Sequence, residues 1–91
     1  MKTPRVAIVY CRRCRFLPRA AWVAQELLTT FADDLGEIAL VPGESGVFEV
    51  WLGDVLLFER ATQGRFPEPK ELKQAIRDQI APGRDLGHSD R

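Results

Sequence analysis

Apolar residues fall along this chain in four short runs and two periodic stretches. The first run, in "RVAIVYC", is continuous and rich in β-branched residues, which predicts a strand from Arg5 to Tyr10 buried on both faces. Leu17, Ala20, Ala21, Ala24, Leu27, Leu28 and Phe31 then recur at the spacing of one helical stripe. Pro18 suits the first turn, where a missing N–H costs nothing, and Gly36 lies just beyond the end, so a helix is predicted from Leu17 to Ala32. "GEIALVP" reads as a second buried strand. "GVFEVWL" and "VLLFER" read as two more, meeting at Gly53-Asp54, a pair suited to a two-residue hairpin turn. Leu72, Ala75, Ile76 and Ile80 mark a second helix that begins near Pro69 and stops at Pro82-Gly83.

The order is β-α-β-β-β-α, with no repeat and no low-complexity linker. It predicts an α/β (α+β) fold in which the first two strands run parallel, joined by a right-handed helical crossover, and a hairpin completes a mixed four-stranded sheet covered by two helices. A single domain is expected over residues 1–81, and the polar segment 82–91 is expected to be a flexible tail. Ninety-one residues suffice for one core, and 45% hydrophobic with 29% charged residues excludes a disordered or fibrous chain. No apolar run approaches the roughly 18–20 residues that cross a bilayer, and no cleavage-site pattern follows Met1, so the expectation is a cytoplasmic protein with no membrane partner.

Chemistry enters with the only two cysteines, Cys11 and Cys14, at the carboxyl end of the first strand, the edge of an open sheet where ligands and reactions concentrate. In a reducing compartment a close pair points to redox or metal chemistry rather than to a structural staple, and so short a loop would contribute little stability if bridged. The formal net charge is zero, yet every charged residue from Met1 to Gln25 is basic and every one from Glu26 to Glu59 is acidic. Arg12, Arg13, Arg15 and Arg19 therefore surround the sulfurs with a positive field, which favours a thiolate and suits an anion. Cys11 sits at the strand end and Cys14 has the nearer arginines, so this reasoning leaves open which sulfur attacks.

A zinc site needs four ligands, and Cys11, Cys14 and the single histidine, His88, make three, so no metal is assigned. Zero net charge without an evenly spread basic face argues against nucleic acid. Trp22 lies off the apolar stripe of its helix, as a partner-facing or half-covered residue would. Trp51 is read as packing under a helix, and Tyr10 as either a hydrogen-bonding neighbour of the sulfur or a buried strand-end residue.

"VYCRRC" after the first strand, "VPGESGVFEVWLGDVLLFER" and the helix start "GRFPEPKELKQAI" together resemble the selenoprotein W-like, or Rdx, family of the thioredoxin-like fold, over Val6 to about Ile80. The resemblance implies thiol–disulfide exchange at Cys11 and Cys14, with Cys14 standing where relatives carry selenocysteine and so acting as the solvent-facing attacker. It implies a glutathione or thioredoxin-type reductant and client protein thiols as partners, and no metal or organic cofactor. Arg12, Arg13 and Arg15 would stabilise the thiolate or bind an anion. The Val41–Gly46 loop, with Ser45 and Gly46 and with Pro42 as the candidate for the proline that is cis in thioredoxins, would lie near the site, and the sequence leaves the isomer of Pro42 open. Arg12-Arg13 replaces the small spacer residues common in the selenoprotein, and sulfur in place of selenium slows any peroxide reduction. The reading from another class is a thioredoxin-like binding platform without turnover.

Overall fold

The computed structural model describes residues 2–90. Its elements are β1 (Arg5–Cys11), α1 (Leu17–Thr30), β2 (Glu37–Gly43), β3 (Phe48–Leu52), β4 (Val55–Glu59), α2 (Arg60–Gln63) and α3 (Pro69–Ile80), followed by a 3-10 turn at Gly87–Asp90. The strands form one sheet in the order β2-β1-β3-β4. β1 pairs parallel with β2 from Arg5↔Glu37 to Cys11↔Gly43, and antiparallel with β3 from Val6↔Leu52 to Tyr10↔Phe48. The β3–β4 hairpin turns at Gly53-Asp54, where Gly53 takes the positive φ of 57° that a two-residue turn needs at its first position. This is the mixed four-stranded α+β sheet that the pattern of apolar runs predicts.

Two strand expectations are corrected. β1 alternates between buried and half-buried positions instead of being covered on both sides, and β2, also read as buried, has no fully buried residue because it lies at the sheet edge. Val6, Ile8 and Tyr10 join Val50 and Phe48 of β3 and Phe58 of β4 in a core capped by Val23 and Leu27 of α1 and Leu72 and Ile76 of α3. The helices contact each other and share this one face. Two helices of 14 and 12 residues leave nothing to cover the reverse face. That side carries Ala7, Val9, Ala39 and Val41, the Arg5–Glu37 ion pair, and Trp51, whose Nε1–H donates to Glu49 at 3.0 Å. Trp51 therefore lies on the uncovered face, because it alternates with Val50 and Leu52, which point into the core.

The helix boundaries shift for local reasons. α1 stops at Thr30 because Phe31 leaves helical geometry and turns its fully buried ring into the core, with Asp34 and Leu35 N–H groups donating to its carbonyl. The stripe that packs is Ala20, Val23, Ala24 and Leu27; Leu17 and Leu28 flank it at 47% and 45% exposure, and Trp22 is half exposed on the outer side. Arg60, assigned to the fourth strand on sequence, starts the single turn of α2. Gly36 supports the crossing of the amino-terminal segment: its N–H donates to the Pro4 carbonyl, and a Cβ there would lie 2.7–2.8 Å from the backbone of Lys2 and Thr3.

Segment 82–90, expected to hang free, is tied to both helices in the structure. Arg84 pairs with Asp34 and donates to the Thr30 carbonyl at the end of α1, while Leu86 packs on the core. Arg77 of α3 meets both carboxylate oxygens of Asp90 at 2.6 Å. These contacts join charges far apart in sequence, which a local reading cannot pair.

Two carboxylates link this frame to pH. The backbone N–H of Lys2, then the Arg5 guanidinium, hold Glu37 below its usual range; the N–H of Leu86, then Arg77, do the same for Asp90. Unfolded, both groups bind protons at a higher pH than they do in the fold, so stability is full above the ordinary carboxylate range of about pH 4 and is lost as pH falls below it. Denaturant midpoints measured from pH 6 to pH 3 are expected to decline, and Glu37→Gln to flatten part of that slope. Gly36→Ala forces the new Cβ against backbone rather than a movable side chain, so a loss on the order of 1–3 kcal/mol is expected in the same denaturation measurement.

Candidate active site

The turn between β1 and α1 holds Cys11 and Cys14, joined as a disulfide with their Cα atoms 5.4 Å apart. The two cysteines differ in exposure. Cys11, the last residue of the central strand, is 2% exposed, whereas Cys14 lies in the turn and is exposed. Cys14 N–H closes the turn on the Cys11 carbonyl at 3.4 Å, and Arg15 follows in the left-handed region at φ 60°. Helical geometry begins only at Leu17, with Phe16 as its cap residue and no side-chain cap. The α1 dipole falls off within a turn, so it acts only weakly on Cys14.

The β2–β3 loop holds the other side. Glu44–Val47 is a tight turn closed by Val47 N–H on the Glu44 carbonyl, with Ser45 at φ 58° and Gly46 at φ 75°, both left-handed as a type I′ turn requires. Two hydrogen bonds tie it and β2 to the cysteine turn: Cys11 N–H donates to Val47 O at 2.8 Å, and Arg12 N–H to Gly43 O at 3.1 Å. The Arg12 guanidinium pairs with Glu44 across the same gap. Gly43, in register with Cys11, makes the approach possible, since a Cβ there would lie 2.7 Å from Val47 Cγ1 and 3.1 Å from Val9 Cγ1.

Of the residues singled out on sequence, Cys11, Cys14, Arg12, Ser45 and Gly46 thus meet at one end of the sheet. Arg13 and Arg15 lie exposed in the same turn. The isomer of Pro42, open on sequence, is fixed by the structure. Thr3-Pro4 is the one cis peptide bond among the described residues, so Pro42 is trans; it is exposed in the regular parallel ladder opposite Tyr10, in an edge strand that accommodates a residue without an N–H. Tyr10 turns into the core, away from the cysteine turn. His88 stands exposed in the carboxyl-terminal 3-10 turn, and among the described residues no three His, Cys, Asp or Glu side chains gather as a metal site.

Sequence reasoning missed the layer that fastens the exit from the turn. Phe16, Phe48 and Phe66 meet edge to face, with centroids 4.9 Å apart for Phe16–Phe66, 5.3 Å for Phe48–Phe66 and 6.3 Å for Phe16–Phe48. Such pairs contribute about 0.5–1.5 kcal/mol each beyond the area they bury. The Arg19 guanidinium lies 4.3 Å above the Phe66 ring, and that of Arg60 5.0 Å from Phe66 and 5.5 Å from Phe16. A signal was present: "RFLP" and "RFPEP" each set an Arg-Phe pair ahead of a helix that carries a proline in its first turn.

A buried sulfur and an exposed sulfur, bridged at the end of a central strand, are suited to reversible thiol chemistry, because an incoming thiolate can reach Cys14 and expel Cys11. Among the described residues no helix is long and apolar enough to cross a membrane. No match to this chain was found among the curated proteins. A selenoprotein W-related protein from Vibrio cholerae is 45% identical and superimposes with a TM-score of 0.82, covering 84% of this chain and 95% of its own. A protein from Bordetella parapertussis is 55% identical with a TM-score of 0.81, over 84% of this chain and 96% of its own. The Rdx family model matches residues 5–78, which span the sheet, the cysteine turn and nearly all of α3; with the CxxC pair it supports a thiol redox role, and the chain belongs to the Rdx family.

Proposed function

We propose that this protein carries out thiol–disulfide exchange, with Cys14 as the attacking sulfur and Cys11 as the resolving one. The observation that carries the reading is the difference in access between two sulfurs already close enough to bridge. In the reduced protein the Cys14 thiolate attacks one sulfur of a client disulfide and expels a client thiolate. Cys11 then attacks Cys14 Sγ, closes the Cys11–Cys14 bond and releases the second client thiolate, so two electrons pass to the client. Re-reduction runs the other way: a thiolate of glutathione or of a thioredoxin-type dithiol reaches the exposed Cys14 sulfur, and Cys11 leaves.

Arg13 and Arg15 stabilise the Cys14 thiolate through the field of two adjacent guanidiniums. Arg12 is engaged with Glu44 and serves chiefly to hold the β2–β3 turn against the cysteines. A cytoplasmic site of action, where reductants keep such a pair cycling, suits this chemistry. The alternative is a binding platform without turnover, favoured by the exposure of Leu17, Trp22 and Leu28 along α1.

Two measurements separate these readings. In fully reduced protein, iodoacetamide is expected to modify Cys14 at least about tenfold faster than Cys11, read by peptide mass mapping, because reaction follows access as well as thiolate character. With a disulfide substrate, Cys14→Ser is expected to abolish formation of the mixed disulfide, whereas Cys11→Ser forms it and cannot release it. A wild-type protein that forms no mixed disulfide with any client, yet binds partners equally in both redox states, is a platform.

A further inference from the structure

Five arginines lie on or beside the cysteine turn, and four of them lack an acidic partner. Arg12 meets Glu44, but Arg13, Arg15, Arg19 and Arg60 are in no ion pair among the described residues. The chain has no acidic residue before Glu26, and the carboxylate that faces the turn, Glu44, is already engaged by Arg12. Arg19 and Arg60 instead rest on the faces of Phe16 and Phe66, which hold their guanidiniums in place without neutralising them. Phe16 lies two residues beyond Cys14, so this aromatic and cationic shelf fastens the end of the turn that carries the exposed cysteine.

Arg60 adds an independent observation. Its Nε is buried with no hydrogen-bond partner, an arrangement that leaves a charged donor unmet, and one of its terminal nitrogens lies 4.0 Å from where a Cβ on Gly46 would be. It thus bridges the aromatic shelf and the β2–β3 turn that holds Cys11. Arg15 keeps a charged side chain at a left-handed backbone position that glycine adopts at no steric cost.

We infer that the site selects anionic clients: disulfides whose sulfur is flanked by carboxylates, which Arg13, Arg15, Arg19 and Arg60 receive while Phe16 and Phe66 support the apolar part of the client. This rests on the exchange reading and names its substrate class. The exchange itself is balanced as above: one client disulfide and the protein dithiol become two client thiols and the Cys11–Cys14 disulfide. The shared chemistry is a carboxylate-flanked sulfur, supplied either by a small tripeptide disulfide or by an acidic stretch of a protein.

The test uses pre-reduced full-length protein, freed of reductant, in single turnover against four probes: the symmetric disulfides of Glu-Cys-Glu, Gln-Cys-Gln and Lys-Cys-Lys peptides blocked at both ends, and oxidised glutathione. At about 20 mM salt the Glu probe is expected to react at least about tenfold faster than the Gln probe, with the Lys probe slowest, and about 500 mM salt should compress the series. In the combined Arg13→Gln, Arg15→Gln, Arg19→Gln variant the Glu-to-Gln rate ratio should fall toward one; a ratio cancels any change in thiolate content, which affects both probes alike. Arg60→Gln should lower the ratio and Arg60→Lys should retain more of it. Glutathione disulfide outpacing the Glu peptide assigns the small-molecule source, and the reverse assigns a protein segment. Equal rates for the Glu, Gln and Lys probes would overturn the selectivity while leaving exchange standing; no reaction with any probe would overturn both.

Discussion

β1 is hydrogen-bonded along both edges, and its last residue is Cys11. That one placement governs the rest of the site. A residue at the end of a strand paired on both sides has little freedom, and here the Val47 carbonyl takes the Cys11 N–H beyond the regular ladder. Cys11 is therefore fixed and buried, while three residues later the chain has left the sheet and Cys14 meets solvent. The chemical asymmetry between two identical side chains follows from where the ladder stops.

The turn is short, so its two ends must be held independently for the sulfurs to remain in reach of each other. Gly43 and the Glu44–Val47 turn grip the beginning, with Arg12–Glu44 as an outer tie. Phe16 grips the end by fitting against Phe48 of β3 and Phe66 ahead of α3. This arrangement leaves the turn itself free of packing duties. Its side chains can then be charged, and Arg12, Arg13 and Arg15 stand exposed along it instead of filling space.

A sheet covered on one side only is the geometric cost of so small a chain. Both helices are needed to bury the core face, and the reverse face is left to short aliphatic residues, Trp51 and the Arg5–Glu37 pair. The carboxyl-terminal segment compensates at the helix ends, where Arg84 and Asp90 join positions more than ten residues apart. Those ties involve partly exposed groups and so contribute modestly one by one.

Element order, the parallel first pair, the Gly53-Asp54 hairpin and the position of the CxxC pair after the first strand were legible in the residues, because apolar period, turn chemistry and cysteine spacing are local properties. Which face of Trp51 was covered and how Phe31 ended α1 were not, since each is set by neighbours distant in sequence. The charge segregation could be counted from the chain, but only the tertiary structure decided that Arg12 meets Glu44 while Arg60, from the far side of the hairpin, joins Arg19 at Phe66. The physical reason is that periodicity specifies which residues leave water, whereas pairing among charges and rings depends on distances that only the folded packing sets.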